Sequence, residues 1–227
     1  MTITPESIWA DIETIQSRTP LVLNITNYVV MNTTANALLA LGASPVMAHA
    51  VEEVEDMTRL AGALVVNIGT LSTAWIQSME RAMAAAGSRG IPVVFDPVGA
   101  GATPFRTATA RVLLAGGAVR LIRGNASEIM ALLDTSVVTR GVDSTAGSID
   151  AVDAATQLAK TYACAVCVSG ETDYIVAGEA LTGIANGHVM MTRVTGLGCI
   201  ATALCGAFAA VNPDPAAAAA HAMAVMG

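Results

Sequence analysis

Short runs of β-branched residues alternate along this chain with longer segments rich in alanine and leucine, and this alternation limits its possible folds more than any other feature. Residues 64–68 are mostly apolar, as in a buried strand, whereas residues 72–87 are long enough for a helix and begin with a serine that can cap it. Repeated strand–helix units predict parallel strands joined by right-handed crossovers, and later strand patterns with little helix between them predict added antiparallel strands. We therefore expect a three-layer α/β/α sandwich with a mostly parallel central sheet, formed by residues 1–227 as a single domain.

The same patterns give the bounds of the expected elements. The predicted strands cover residues 21–25, 44–47, 64–68, 92–95, 119–122, 163–168, 173–176, 180–185 and 189–194. The predicted helices cover residues 28–41, 51–60, 72–87, 107–114, 126–133, 149–162 and 200–211, with a loop rich in Gly, Ser and Asp before residue 149. Ligands of such sheets bind beyond the carboxyl ends of the parallel strands, so we look for a site there.

Composition excludes several classes of protein. Charged residues make up 13% of the chain and hydrophobic residues 54%, which excludes a disordered chain. The net charge of −7, with no basic block, argues against nucleic acid or an anionic membrane as a partner. Lys160 is the one lysine, and it does not follow a glycine-rich loop, so a Walker A loop is absent from the sequence. Any phosphate chemistry has to use backbone groups, arginine and a metal ion instead.

The sequence gives no indication of membrane insertion or of a disulfide framework. No charge lies between Arg193 and Asp214, but that stretch is mostly small residues, which favours a helix buried in protein over a membrane span. Residues 1–18 lack the apolar core of a signal peptide. Cys164 and Cys167 have CxxC spacing, yet a strand would point them to opposite faces, so they suit structural cysteines of a cytoplasmic protein better than a metal site.

Residues 194–199 read Val-Thr-Gly-Leu-Gly-Cys and lead into a long run of small residues, a pattern typical of strand, tight turn and helix. The start of a helix offers unpaired N–H groups and the positive end of its dipole. Gly196 and Gly198 would let a phosphate approach that backbone closely. Cys199 would lie in the first turn, where we expect its thiol pKa to fall. The alternative is that the two glycines merely make a tight connection.

Charged and amide side chains follow several of the predicted strands. Asp96 ends one strand, Arg123 ends the next, and Asn125 and Glu128 stand three residues apart at the start of a helix. Each has a structural explanation: Asp96 could cap a helix, Arg123 could form a surface ion pair, and Glu128 could be an acid favoured by the helix dipole. Together, oxygen ligands, a cation and N–H donors are what a magnesium–nucleotide site needs. Asn125 and Glu128 would share one helix face, which suits binding Mg²⁺ through water.

Longer motifs resemble the hydroxyethylthiazole kinases, members of the ribokinase-like family. They are NITN at 24–27, LGASPVM at 41–47, NIGTL at 67–71, DPVGAGATPFR at 96–106, IRGNA at 122–126 and VTGLGC at 194–199. The resemblance extends over essentially the whole chain. It implies a ribokinase-like fold and ATP-dependent phosphorylation of the primary alcohol of 4-methyl-5-(2-hydroxyethyl)thiazole, in thiamine salvage. It also implies a cytoplasmic homotrimer with substrate sites at the subunit interfaces.

The resemblance assigns roles to residues by position. The ATP contacts would be Arg123 and Ser169, the thiazole contacts Met47, Gly196 and Asn27, and the magnesium-organising residues Asp96, Asn125 and Glu128. The reaction itself would depend on Cys199 and on the backbone of Gly196 and Gly198, which would stabilise the moving phosphoryl group.

The sequence departs from the family pattern at Ser169 and at its C-terminal end, and it differs from most of the wider ribokinase-like group at Cys199. Ser169 stands where the family usually has threonine, which keeps the hydroxyl and loses a methyl group. Cys199 stands where most ribokinase-like enzymes have an aspartate that accepts the proton of the alcohol. We expect Cys199 to orient the hydroxyl and to assist proton removal only modestly, without a covalent phosphocysteine. The sequence ends within a helical pattern, so we expect the C-terminal end of the kinase domain to be incomplete, which puts the adenine pocket in doubt.

Two other functions stay open. One is a kinase of the same fold that acts on a pyrimidine or pyridoxal-type alcohol. The other is a nucleotide- or thiazole-binding sensor that has lost catalysis.

Overall fold

The computed structural model of the chain describes residues 3–133 and 147–227, and much of the expected loop before residue 149 lies outside them. The described residues form one eight-stranded sheet in the order β2-β1-β3-β4-β5-β6-β7-β8. The strands are β1 Leu21–Ile25, β2 Ser44–Val46, β3 Ala63–Asn67, β4 Val93–Asp96, β5 Val119–Asn125, β6 Ala165–Ser169, β7 Asp173–Ala177 and β8 Ala180–Ile184. Strands β1 to β6 pair in parallel, whereas β7 and β8 are antiparallel additions. The prediction of a mostly parallel sheet with antiparallel strands is confirmed.

Helices cover both faces of the sheet. They are α1 Pro5–Arg18, α2 Met31–Leu41, α3 Val54–Leu60, α4 Thr73–Arg89, α5 Pro104–Ala115, α6 Ala126–Leu133, α7 Val152–Tyr162, α8 Leu197–Ala209 and α9 Pro215–Met226. Helices α3 to α7 pack their buried side chains on one face, and α1, α2, α8 and α9 pack on the other. The three-layer arrangement thus follows from two apolar cores on either side of the sheet.

Helix α8 packs directly on the sheet. Residues 200–209 are buried throughout, and Gly206 faces β1 and β3. A Cβ added at Gly206 would lie 2.4 Å from Cγ2 of Val65 and 3.3 Å from Cγ1 of Val22. The helix backbone therefore touches the sheet at this glycine, and this contact fixes the height of α8 above the strands.

Two predictions of secondary structure need correction. The strand expected over 189–194 is wrong, because Val189–Arg193 is a 3₁₀ helix. His188 accepts the N–H of Met190 through Nδ1 at 3.2 Å, and the Thr192 hydroxyl donates to the Val189 carbonyl at 2.8 Å. These local bonds compete with strand pairing, which a β-branched pattern alone does not reveal.

The second correction concerns the N-terminal segment, for which we predicted no element. Helix α1 begins there with a capping box in which Thr4 accepts the N–H of Ser7 at 3.2 Å and Ser7 accepts the N–H of Thr4 at 3.1 Å. Pro5 occupies the first helical position, where its missing N–H costs nothing. No helix among the described residues is long and apolar enough to cross a membrane.

Candidate active site

Polar side chains from several strands meet at the carboxyl edge of the sheet, under the first turn of α8. Asp96 ends β4 and Asn67 ends the neighbouring strand β3. Oδ2 of Asp96 accepts a hydrogen bond from Nδ2 of Asn67 at 2.7 Å and another from Oγ1 of Thr202, on α8, at 2.8 Å. The carboxylate is therefore held in place through one oxygen, and its other oxygen, Oδ1, is buried without a hydrogen-bond partner among the described residues.

Burial raises the pKa of Asp96, and the nearby charge of Arg123 acts in the opposite direction. Burial lowers the pKa of Arg123, but the surrounding negative charges, with Asp96 the largest of them, together raise it by more, so the net direction is upward. Arg123 is 8% exposed and donates a hydrogen bond to the hydroxyl of Ser169, at the end of β6. Its Nε has no partner within the described part of the chain. A fixed guanidinium thus stands beside the carboxylate with donor capacity to spare.

The start of α8 is shaped by two glycines. Gly196 precedes the helix at φ 84°, in the left-handed region that favours glycine, and a Cβ there would lie 2.3 Å from Cγ1 of Val30. A Cβ at Gly198 would lie 2.7 Å from Nη1 of Arg123. Both positions therefore need glycine, Gly196 for backbone conformation and space and Gly198 for the close approach of Arg123.

Cys199 is connected to Asp96 through two amides. Nδ2 of Asn27 lies 3.3 Å from the Cys199 sulfur and donates to Oδ1 of Asn67 at 3.0 Å, and Nδ2 of Asn67 in turn donates to Asp96. Burial raises the pKa of the Cys199 thiol to about 11, and the charge of Asp96 adds to the rise. Hydrogen bonds from the two amides and the charge of Arg123 lower it by less. The expectation of a lowered thiol pKa is therefore wrong, because desolvation and the charge of Asp96 outweigh the amide hydrogen bonds and the charge of Arg123.

Asn125 and Glu128 cap each other at the start of α6. The N–H of Glu128 donates to Oδ1 of Asn125, and the N–H of Asn125 donates to Oε2 of Glu128, both at 2.9 Å. Oε1 of Glu128 accepts the N–H of Gly99 at 2.8 Å. Burial raises the pKa of Glu128 to about 7, and the charge of Asp96 also contributes to the rise. The structural explanation of Glu128 as a first-turn acid therefore holds alongside any role in metal binding.

Residues 12–227 match the hydroxyethylthiazole kinase family. The chain belongs to this family. It is 62% identical to the hydroxyethylthiazole kinase of Syntrophus aciditrophicus, over 100% of this chain and 84% of the relative. The hydroxyethylthiazole kinase structure from Pyrococcus horikoshii superposes with a TM-score of 0.88 at 46% identity, covering 96% of this chain and 82% of that one. A ribokinase-like superfamily protein from Enterococcus faecalis shares the fold alone, with a TM-score of 0.61 at 13% identity over 93% of this chain and 78% of its own.

Most residues that the kinase motifs singled out come together at one edge. Arg123 and Ser169 are in contact, Asp96 lies beside Arg123, and Asn27 contacts Cys199. Met47 directly follows β2, the edge strand beyond β1, and is half-buried. Its contact with a thiazole stays a prediction, as do the other binding roles.

The sequence analysis missed two residues of the network, Asn67 and Thr202. Asn67 opens the NIGTL motif, and Thr202 lies one helical turn after Gly198 on the face that meets Asp96. The position of Asn67 at the end of β3, next to β4 in the sheet, is the signal that could have found it.

Proposed function

We propose that the chain transfers the γ-phosphoryl group of ATP to the primary alcohol of 4-methyl-5-(2-hydroxyethyl)thiazole, as a single kinase domain in thiamine salvage. The observation that carries the proposal is the meeting of Asp96, Arg123 and Cys199 at the first turn of α8, in a chain of the hydroxyethylthiazole kinase family. A cation, a carboxylate and free helix N–H groups are the elements that phosphoryl transfer requires.

On the nucleotide side, Arg123 and Ser169 contact the phosphates of ATP in this proposal. The buried guanidinium has donors to spare, and its bond to Ser169 sets its direction. The first-turn N–H groups of α8, made accessible by Gly196 and Gly198, stabilise charge on the moving phosphoryl group. They take the place of a P-loop lysine, which this chain lacks.

On the acceptor side, Asn27, Met47 and Gly196 line the thiazole pocket, and Cys199 orients the hydroxyl. With its pKa raised to about 11, the thiol stays protonated at neutral pH and acts as a hydrogen-bonding group rather than a strong base. The loose transition state of phosphoryl transfer depends mainly on positioning and charge neutralisation. The small thiolate fraction also argues against a covalent phosphocysteine.

The proposal includes Mg²⁺, and the three candidate residues Asp96, Asn125 and Glu128 are not equally suited to bind it. Oδ1 of Asp96 is buried and free to bind a cation or its water, whereas the oxygens of Glu128 and Oδ1 of Asn125 already accept backbone N–H groups. Across the described ranges no three His, Cys, Asp or Glu side chains form a metal cluster. Mg²⁺ commonly binds through one or two carboxylates together with substrate phosphates. When bound, it would neutralise phosphate charge, with Asp96 nearest and Asn125 and Glu128 acting through water.

A homotrimer with sites between subunits is also proposed. Exposed apolar side chains flank the site on both sides, with Val29 after Asn27 and Val189 and Val194 before Gly196. Such a surface favours burial against a second copy of the chain. A cytoplasmic location completes the proposal, since all four cysteines are free thiols.

The test is ATP-dependent phosphorylation of hydroxyethylthiazole with Mg²⁺, run beside hydroxymethylpyrimidine and pyridoxal. Selective formation of the thiazole phosphate, lost with EDTA, is the expected result. Selective phosphorylation of another alcohol would overturn the substrate assignment. Binding of ATP and thiazole by calorimetry without turnover would instead identify a sensor.

A further inference from the structure

Three ring side chains gather on the acceptor side of the site, although the chain has only three tyrosines, two tryptophans and three phenylalanines. Tyr28 follows β1, His49 follows β2, and Trp75 lies in the first turn of α4, which follows β3. The ring centroids of Tyr28 and Trp75 are 5.1 Å apart with the planes at 54°, and those of His49 and Trp75 are 4.5 Å apart at 44°. Because β2, β1 and β3 are adjacent in the sheet, their carboxyl ends bring the rings together.

In this cluster of Tyr28, His49 and Trp75, the last two are held by the surrounding structure, whereas Tyr28 is exposed. Trp75 is 6% exposed, and the carbonyl of His49 accepts the Ser78 hydroxyl of α4 at 2.6 Å, which ties the loop after β2 to this helix. Nδ1 of His49 is buried without a hydrogen-bond partner among the described residues. Tyr28, in contrast, is 65% exposed although its ring packs on Trp75. A large apolar ring is thus held in position at the surface with one side uncovered.

The cluster is continuous with the reacting end of the site. Tyr28 directly follows Asn27, whose amide contacts the Cys199 sulfur, and His49 lies two residues after Met47. Arg123 and Ser169, on β5 and β6, lie on the opposite side of Asp96 in the strand order. The nucleotide side of the edge therefore carries charge, and the acceptor side carries rings.

We propose that Tyr28, supported by Trp75, is a specificity-determining residue that stacks on the heteroaromatic ring of the acceptor alcohol. The inference rests on the proposed function. Aromatic rings attract one another at centroid separations of 4.5–7 Å in offset or tilted arrangements, by more than their buried area alone provides. A ring held beside Asn27 and Cys199 selects flat heterocycles over saturated ones and leaves the hydroxyethyl arm directed to the thiol.

The test compares Tyr28→Leu with Tyr28→Phe, using KM for hydroxyethylthiazole and for ATP. We expect Tyr28→Leu to raise KM for the thiazole about three- to tenfold and to leave KM for ATP unchanged, whereas Tyr28→Phe retains the original values. Selectivity for the thiazole over its saturated thiazolidine analogue falls by the same factor. Trp9→Leu is the matched control, because it removes an exposed ring from α1.

A second measurement reports the contact directly. In a Trp9→Phe background, Trp75 is the one remaining tryptophan, and hydroxyethylthiazole added without ATP changes its fluorescence. If the unsubstituted chain turns over and Tyr28→Leu leaves KM for the thiazole unchanged, the stacking role alone is overturned. The same holds if Tyr28→Leu changes the molecular mass of the assembly in solution without changing KM, because Tyr28 would then be a subunit contact. Absence of both turnover and a fluorescence response in the unsubstituted chain overturns the proposed function and the stacking role together.

Discussion

The glycine hydrogens of Gly198 face the guanidinium of Arg123 at a distance that leaves no room for a methyl group, since a Cβ would lie 2.7 Å from Nη1. Arg123 is buried beside Asp96 and bonded to Ser169, so it cannot swing into solvent without losing these partners. The two residues therefore fix the distance between the guanidinium of Arg123 and the N–H groups at the start of α8.

Replacing Gly198 by alanine should therefore damage turnover more than stability. We expect Gly198→Ala to lower kcat/KM for ATP at least tenfold, because the displaced guanidinium no longer faces the phosphates. Steady-state kinetics and thermal unfolding measure the two effects. The matched control is Gly87→Ala in α4, where a Cβ would meet only Cβ of Ala118 at 3.5 Å. Equal losses of activity in the two variants would contradict the role of Gly198.

Cys199 should tolerate replacement by aspartate. A carboxylate at this position can accept the alcohol proton, so we expect Cys199→Asp to keep kcat or to raise it up to about tenfold, while Cys199→Ala lowers it. With a thiol pKa of about 11, alkylation of Cys199 by iodoacetamide at pH 8 should be slow. Cys164 lies directly before β6, at the end of the strand opposite Ser169, so Cys164→Ala should leave turnover unchanged. Abolished turnover in a well-folded Cys199→Asp protein would show that the cysteine is not equivalent to the aspartate expected at this position in most ribokinase-like enzymes.

Glu128 should make stability depend on pH. Its pKa is raised from 4.5 to about 7 in the fold, so its stabilising contribution is complete below about pH 4.5 and is lost as the pH rises through about 7. The unfolding free energy lost between pH 5 and pH 8 should therefore be smaller in Glu128→Gln, by on the order of 2 kcal/mol. Chemical denaturation at several pH values measures this, with the exposed Glu80→Gln on α4 as control. An unchanged slope in Glu128→Gln would rule out this titration.

Gly206→Ala sets two opposing effects against each other. Alanine favours a helix over glycine by about 1 kcal/mol, but the added methyl group would lie 2.4 Å from Cγ2 of Val65, and overpacking typically costs about 1–3 kcal/mol. We expect a net loss of about 1–2 kcal/mol in unfolding free energy. The double variant Gly206→Ala/Val65→Ala should be more stable than the sum of the two single effects predicts. Simple additivity would show that the two positions do not collide.

Much of the fold could be predicted because the buried parallel strands are short apolar runs, as β3 illustrates with five buried residues. Residues 189–194 have a strand-like pattern too, but whether a segment pairs depends on a neighbouring strand that the pattern does not contain. The start of α1 could be predicted from Thr4, Pro5 and Ser7, but the helix lies mostly at the surface and buries only Ile15 fully, so it has no apolar run like those of the central helices. The sequence could also predict that Asp96 and Arg123 lie near each other, because the carboxyl ends of parallel strands share one edge of the sheet.

The electrostatics of the site could not be predicted in the same way. Cys199 lies at a helix start, which alone lowers a thiol pKa, but its burial and the charge of Asp96 reverse the direction. Asn67 and Thr202 acquire their roles only when β3 and α8 are packed against β4. These properties depend on distances between segments far apart in sequence.

Because α8 contacts the sheet at Gly206, core residues at this contact can affect the position of the reacting groups at the start of the helix. Cys199 lies seven residues before this glycine, or about 10.5 Å along the helix axis, so the helix acts as a rigid spacer between the core and the reacting group. A bulkier side chain at position 206 or 65 would displace the spacer and carry the thiol and the N–H groups away from Asp96 while the chain stayed folded. Val65 touches neither substrate in the proposed site, yet in that proposal its volume sets where the phosphoryl group is received.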